Sequence, residues 1–247
     1  MEMSELRLRP AEQARISSLI GLAVNGAASA LDVGARDGYL SSQLANKVGQ
    51  VVALDLQKPV LDDSRILCVE GDASALSFRD EEFEIVLCAE VLEHISEPTL
   101  SLVCKELVRV TSRHLIIGVP LKQDLRLCRS TCGNCGSANP PWGHVTSFDE
   151  KKLAALFAPL RIDAIEYIGK APPGTNFLSA LLMDFAGNPF GTYEQDEACC
   201  SCSKDIGVPV QRTVIQRIAT RVATLLQRTQ AVLNREHANW IHIRFSK

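Results

Sequence analysis

The stretch Ser29-Ala-Leu-Asp-Val-Gly34-Ala-Arg-Asp-Gly38 limits the fold more than any other part of this 247-residue chain. An apolar run of strand length ends in a turn, and the turn's glycines allow backbone conformations closed to other residues. A helical pattern, Tyr39 to Lys47, follows at once. Strand, tight turn and helix in that order make the opening unit of a parallel sheet covered by helices. The alternation continues. Gln50 to Asp55 (QVVALD), Ile66 to Glu70, Phe83 to Cys88 (FEIVLC) and His114 to Val119 (HLIIGV) read as strands two to five. A helix is predicted ahead of them, from Pro10 to about Asn25, and another over 97–110, where Leu100, Val103 and Leu107 share a face.

The rhythm breaks after Pro120. Residues 121–146 and 169–208 are rich in Gly, Pro and Asn, carry six of the nine cysteines, and read as irregular insertions. Between them, Ser147 and Glu150 have the spacing of a capping box opening a helix to about Phe157, and Leu160 to Ile168 reads as strand six. Pro209 suits a first helical position, so a long helix is predicted to Glu236, followed by a last strand at Trp240 to Phe245. The expectation is one α/β domain over 1–247, with a Rossmann-like, doubly wound, mostly parallel seven-stranded sheet and a cysteine-containing subdomain built from the two insertions.

Carboxyl ends of neighbouring parallel strands are where such sheets bind nucleotides. Here they carry Gly34 and Gly38 after strand one, Asp55 at the end of strand two, and Asp72 after strand three. A carboxylate at the second position can accept both ribose hydroxyls. A dinucleotide fingerprint fits poorly, since it needs glycines where Arg36 and Tyr39 stand. LDVGARDGYL, VVALDL, EGDASALSF and FEIVLCAEVLEHI resemble the successive motifs of class I S-adenosylmethionine-dependent methyltransferases. Val91-Leu-Glu-His-Ile95 is similar to the small-molecule subgroup that includes ubiquinone-type, sugar and natural-product enzymes.

The resemblance covers roughly residues 28–120. It implies that Gly34, Ala35, Arg36 and Gly38 line the methionine end of the cofactor. It places Asp55 on the ribose, Leu56 under the adenine and Asp72 with Ala73 at the adenine edge, while Cys88 to Glu90 flank the sulfonium. Arg36 departs from the pattern, standing where the family has the middle glycine of G-x-G-x-G. The implied reaction moves a methyl group to a small molecule, a sugar, or a glycan- or lipid-linked intermediate. The rival is a scaffold that kept the fold and lost catalysis, binding a partner through its cysteine module and basic helix. A base is needed only for a weakly acidic hydroxyl; Glu90, His94 and His144 are the candidates.

Cys68, Cys88 and Cys104 sit in apolar runs and read as core. Cys132-Gly-Asn-Cys135-Gly looks like a zinc knuckle, and Cys199-Cys-Ser-Cys202 supplies a second C-x-x-C. Together these four would close a structural Zn²⁺ site, with Cys128 and Cys200 as spare ligands. Cys128-x-x-x-Cys132-x-x-Cys135 also has the spacing of radical iron–sulfur enzymes, but Asn134 replaces the aromatic those enzymes place before the last cysteine.

The formal net charge of −3 argues against general nucleic-acid binding, yet residues 209–247 hold seven basic residues and one acidic residue. On the long helix, Val210, Val214, Ile218, Val222, Leu225 and Val232 fall on one arc, widened by Ile215, Leu226 and Leu233. Arg217, Arg221, Arg228 and Arg235 line one edge of it. That arc is expected to pack on the core; the alternative is contact with an anionic membrane, a phosphorylated substrate or an acidic partner through the arginines. With no leader pattern and no apolar span of membrane length, the chain reads as cytoplasmic.

Overall fold

The computed structural model describes residues 7–195, 197–207, 211–233 and 236–247. They divide into two compact units. The first takes the chain to Leu121, then Phe148–Lys170 and Ala238–Lys247; the second takes Lys122–Ser147 and Ala171–His237.

The first unit is built on a seven-stranded sheet. Its elements in chain order are α1 (Pro10–Leu22), β1 (Ser29–Val33), α2 (Tyr39–Leu44), β2 (Gln50–Asp55), β3 (Ile66–Glu70), β4 (Phe83–Ala89), α3 (Thr99–Val110) and β5 (Thr111–Pro120). After the second unit's first segment come α4 (Glu150–Leu156) and β8 (Arg161–Ile168), and β9 (Trp240–Ser246) ends the chain. Strand order is β3-β2-β1-β4-β5-β9-β8, with β1 to β5 parallel and β9 antiparallel to both β5 and β8. The sheet is therefore mostly parallel and Rossmann-like, as the alternation predicts.

Period-two alternation splits the core between the two faces. Leu31, Val33, Val86, Leu115 and Ile117 bury against Leu100, Val103 and Leu107 of α3. Ala30, Ala53, Ile85, Leu87 and Ile116 bury on the other face, with Leu19 of α1 and Leu44 of α2. Cys88 and Cys104 are core residues and Cys68 is half-buried. At α4 the cap is not Ser147. Asp149 holds the N-cap, its side chain accepting from the Lys152 N–H at 2.8 Å. Aspartate directly before the first helical residue outcompetes a serine two residues further out.

The second unit departs further from expectation. The short hairpin β6 (Ser130–Thr131) and β7 (Ala138–Asn139) carries the first cysteine pair in its loop. Residues 177–185, expected to be irregular, form helix α5 (Phe177–Phe185), capped by Asn176 accepting from the Ser179 N–H at 2.8 Å. The long helix, α6, spans Val214–Leu233. Pro209, Val210 and Arg235, which the sequence reading assigned to it, lie outside the described residues. A reciprocal capping box opens it: Thr213 N–H donates to Gln216 Oε1 at 2.9 Å, and Gln216 N–H to Thr213 Oγ1 at 3.3 Å.

The helix is turned away from its expected setting. Among its described side chains Ala219, Thr220 and Ala223 are buried, whereas Val214, Ile215, Ile218, Val222 and Leu225 of the predicted packing arc are exposed and Leu226 is half-buried; the side chains of Val232 and Leu233 lie outside the described ones. Small side chains let α6 approach α5 closely. Ser179 Oγ donates to the Ala223 carbonyl at 2.8 Å and Gln216 Nε2 to the Phe185 carbonyl at 3.1 Å, so the two helices run antiparallel.

Candidate functional site

Four loops at the carboxyl ends of β1 to β4 form the first candidate site. Gly34 (φ +79°) ends β1, and its N–H and that of Ala35 both donate to the Leu54 carbonyl of β2, at 2.8 and 3.0 Å. A Cβ on Gly34 would collide with the Val91 side chain, and the left-handed backbone there would strain any other residue. Arg36 adopts φ +50°, and its N–H donates to Asp55 Oδ2 at 2.8 Å. The backbone thus keeps the left-handed turn with an arginine in the glycine's place, and Asp55 fastens it. Gly38 (φ +73°) then caps α2.

Asp32, which the sequence reading passed over, lies buried beneath this turn. Ser41 of α2 donates to its Oδ2 at 2.6 Å, tying the strand to the following helix. Burial pushes its carboxyl up to about 6, opposed by the Ser41 bond and reinforced by the charge of Asp55. An aspartate inside an apolar strand was the available signal.

Asp55 engages only Oδ2 with a donor among the described residues. Beyond it, Leu56 is 71% exposed and Val60 is 94% exposed, an unusual display of apolar surface beside a carboxylate. Asp72 is exposed and accepts the Ser74 N–H at 2.8 Å, a bond that holds its carboxyl below the usual range; Ala73 beside it is half-buried. A left-handed glycine turn, a carboxylate with an oxygen to offer and an apolar shelf fit a nucleoside carrying vicinal hydroxyls and a methionine-like tail.

After β4, the predicted residues separate. Cys88 is fully buried with the α3-facing core, so its side chain packs inward and only its backbone can border a ligand. Glu90 is held at φ +57°, its N–H on the Gly118 carbonyl at 2.9 Å. Its Oε2 accepts from Trp240 Nε1 at 3.2 Å, while Oε1 is buried with no partner among the described residues. Burial raises this carboxyl to about 7, against the pull of Arg15 on α1 and the Trp240 bond. Glu90 as a whole is half-buried, whereas Glu93, in the short 3-10 turn Leu92–His94, is fully buried, and burial together with the charge of Glu90 raises its pKa. His94 is exposed at the end of that turn. His144 belongs to the second unit, where it is buried with Nδ1 2.7 Å from Gln123 Oε1. Of the three candidate bases, only Glu90 combines a buried, orphaned acceptor atom with a place at the strand ends. Trp240 and Arg15 were missed because nothing in their local sequence links them to Glu90; Glu93 stands three residues from it, and only its burial was unreadable.

The second candidate site is a thiol cluster inside the second unit. The Sγ atoms of Cys132, Cys135, Cys199 and Cys202 all lie within 4.8 Å of one another, with Cys132–Cys202 at 3.8 Å and Cys135–Cys199 at 3.6 Å. A tetrahedral zinc with Zn–S bonds near 2.3 Å requires sulfur separations of about 3.8 Å. The two turns mirror each other. Gly136 N–H returns to the Cys132 carbonyl at 2.9 Å and Ser203 N–H to the Cys199 carbonyl at 2.8 Å, and both closing residues are left-handed. Backbone N–H groups of Ser201 and Cys202 draw the Cys199 thiol down to about 6, while, against the pull of the Lys204 N–H, burial and the neighbouring thiols push Cys202 up to about 11, so the first proton leaves the cluster at Cys199. Cys128 and Cys200 are exposed and outside the cluster.

Residues 31–115 match the family model described as a methyltransferase domain. A ubiquinone biosynthesis O-methyltransferase of Hydrogenovibrio crunogenus is 36% identical over 78 residues, covering 28% of this chain and 32% of that protein. The chain spans about a third to a half of the length of the curated relatives it matches. Among solved structures, a candidate methyltransferase from Bacillus halodurans C-125 aligns with a TM-score of 0.60 at 15% identity, over 94% of this chain and 98% of that one. The N-methyltransferase NodS of Bradyrhizobium japonicum WM9, solved with S-adenosyl-L-homocysteine, aligns with a TM-score of 0.51 at 17% identity, over 67% and 83% of the two chains. These structural likenesses establish the fold.

Proposed function

We propose that this chain, whose residues 31–115 form a class I S-adenosylmethionine-dependent methyltransferase domain, methylates a hydroxyl of a small molecule. The observation that carries the reading is the convergence of Gly34, Asp55 and Asp72 from three adjacent parallel strands, inside the region that matches the family. When bound, S-adenosylmethionine supplies an activated methyl on its sulfonium. Gly34, Ala35, Arg36 and Gly38 receive its methionine end through backbone. Asp55 would accept from the ribose hydroxyls, and Leu56, Asp72 and Ala73 would hold the adenine.

Glu90 Oε1 takes the proton from the acceptor hydroxyl as the oxygen gains its methyl group, and Trp240 holds the carboxyl in place. The nearness of its pKa to neutrality suits a base that must also release the proton. The O-methyltransferase relatives support a hydroxyl acceptor. Within that class, a sugar or a glycan- or lipid-linked alcohol serves the same chemistry.

Cys132, Cys135, Cys199 and Cys202 hold a structural Zn²⁺. Four thiolates leave it no open position, so its role is to fasten the second unit. A reduced thiol set suits the cytoplasm; no described helix is long and apolar enough to cross a membrane. The test is turnover of methyl-labelled S-adenosylmethionine across acceptor classes, with calorimetry of cofactor binding. Binding without turnover on any acceptor supports the scaffold reading instead.

A further inference from the structure

Helices α5 and α6 expose more large apolar side chains than a solvated surface tolerates. On α6, Val214, Ile215, Ile218, Val222 and Leu225 are 44–72% exposed, and at 100° per residue they occupy a single arc about 100° wide. On α5, Phe177, Leu178, Leu181 and Phe185 are 51–74% exposed and occupy an arc of the same width. Scattered apolar residues on a surface need no explanation, but nine on one helical hairpin do.

Charge selects the occupant. Arg217, Arg221 and Arg228 fall together within about 40° on the border of the α6 arc, all exposed, and no ion pair to any of them occurs among the described residues. Residues 211–233 contain no Asp or Glu. The only carboxylate on α5, Asp184, is paired with Arg129 at 2.7 Å. An apolar stripe with an arginine border and no negative charge is the pattern of a helix lying in the headgroup layer of an anionic bilayer. Against an ordinary protein surface, three unpaired arginines beside the seam would need three matched carboxylates.

We infer that the α5–α6 hairpin seats this protein on the surface of anionic membranes, the α6 apolar stripe entering the headgroup layer and Arg217, Arg221 and Arg228 meeting lipid phosphates. Neither helix spans the bilayer. The inference does not depend on methyl transfer, so it stands or falls separately from the proposed activity.

The test is flotation of the full-length protein with vesicles of pure phosphatidylcholine and of phosphatidylcholine with 30% phosphatidylglycerol, at low salt and at 0.5 M salt. Binding to the mixed vesicles at low salt, falling at high salt, is expected. Changing the three arginines to glutamine should weaken partitioning roughly a hundredfold, from about fivefold per basic residue. The pair Ile218→Glu and Leu225→Glu should abolish it, with zinc content and cofactor affinity retained as the check on folding. Absence of flotation on the mixed vesicles overturns the inference, as does equal flotation of the Glu variants. A concentration-dependent dimer that the Glu variants dissociate, without vesicle binding, overturns it in favour of self-association.

Discussion

The two units are held together by different means. The first buries two large apolar clusters, one on each face of its sheet. In the second, the cluster of buried apolar residues found beside the thiols is Cys132, Cys199 and Ile206, and two of those three are candidate metal ligands. Its polar cross-links do more of the holding: Arg129 on Asp184, Asp124 accepting from Thr175, Asn139 accepting from Cys200. One unit is stabilised mainly by removing surface from water; the other depends on specific bonds between segments far apart in sequence.

Removing metal should therefore produce the largest and most localised effect. Thiolate zinc binding contributes about 10–16 kcal/mol in small zinc peptides, and a unit with so small an apolar centre has little to replace it. Chelation, or Cys132→Ser or Cys199→Ser, should release amide protection throughout 122–147 and 171–207 in hydrogen exchange, while β1 to β5 keep theirs. Loss of protection in both units together would erase the distinction.

Glu90→Gln comes next. Removing a general base costs about 10²–10⁴-fold in rate; kcat should fall by that range with cofactor affinity unchanged. In the wild type, kcat/KM should rise with pH through about 7, where Glu90 loses its proton. Stability should move the other way. The folded state holds the Glu90 proton more tightly than the unfolded chain does, so this group's contribution is fully present below pH 4.5 and is lost as pH rises to about 7. That loss is on the order of 3 kcal/mol, and thermal unfolding of Glu90→Gln should show it by falling less between pH 5 and pH 8. Equal pH slopes for the two proteins would mean that the Glu90 carboxyl is not raised in solution.

Asp55→Ala should weaken cofactor binding by about 1–3 kcal/mol, the worth of charged hydrogen bonds to ribose. It also removes the acceptor of the Arg36 N–H. Unchanged affinity in calorimetry would move the ribose elsewhere. The smallest effect belongs to Asp149→Ala, which removes the α4 cap and should cost about 1 kcal/mol. Chemical denaturation checks it, and Ser147→Ala should cost less.

Legibility in the sequence follows the same division. Strands two and three run over the residues their apolar patterns mark; strand two writes itself as a continuous apolar run because both its faces are covered, whereas Leu67 of edge strand three stays exposed. The turn at Gly34 and the carboxylates at Asp55 and Asp72 were legible for the same reason: each closes such a run. The thiol cluster could be read from two C-x-x-C spacings. What escaped depends on tertiary partners. Helix α5 was hidden among Gly and Pro residues, although Asn176 before an apolar run was a usable capping signal. The face of α6 was misread because amphipathicity tells which side is apolar, not what covers it. Arg15 and Trp240 gain meaning only when α1, β4 and β9 meet, and Asp32 only when α2 packs over β1.

The measurement closest to the central claim is a calorimetric titration of S-adenosyl-L-methionine into the metal-loaded protein and into the same protein after chelation. The account predicts saturable one-site binding in both, with affinities within about threefold, since every proposed cofactor contact lies in the first unit and about 0.65 kcal/mol is all that separates them. No binding by the intact, folded protein at millimolar cofactor would contradict the methyltransferase reading, and binding that disappears with the metal would contradict the independence of the two units.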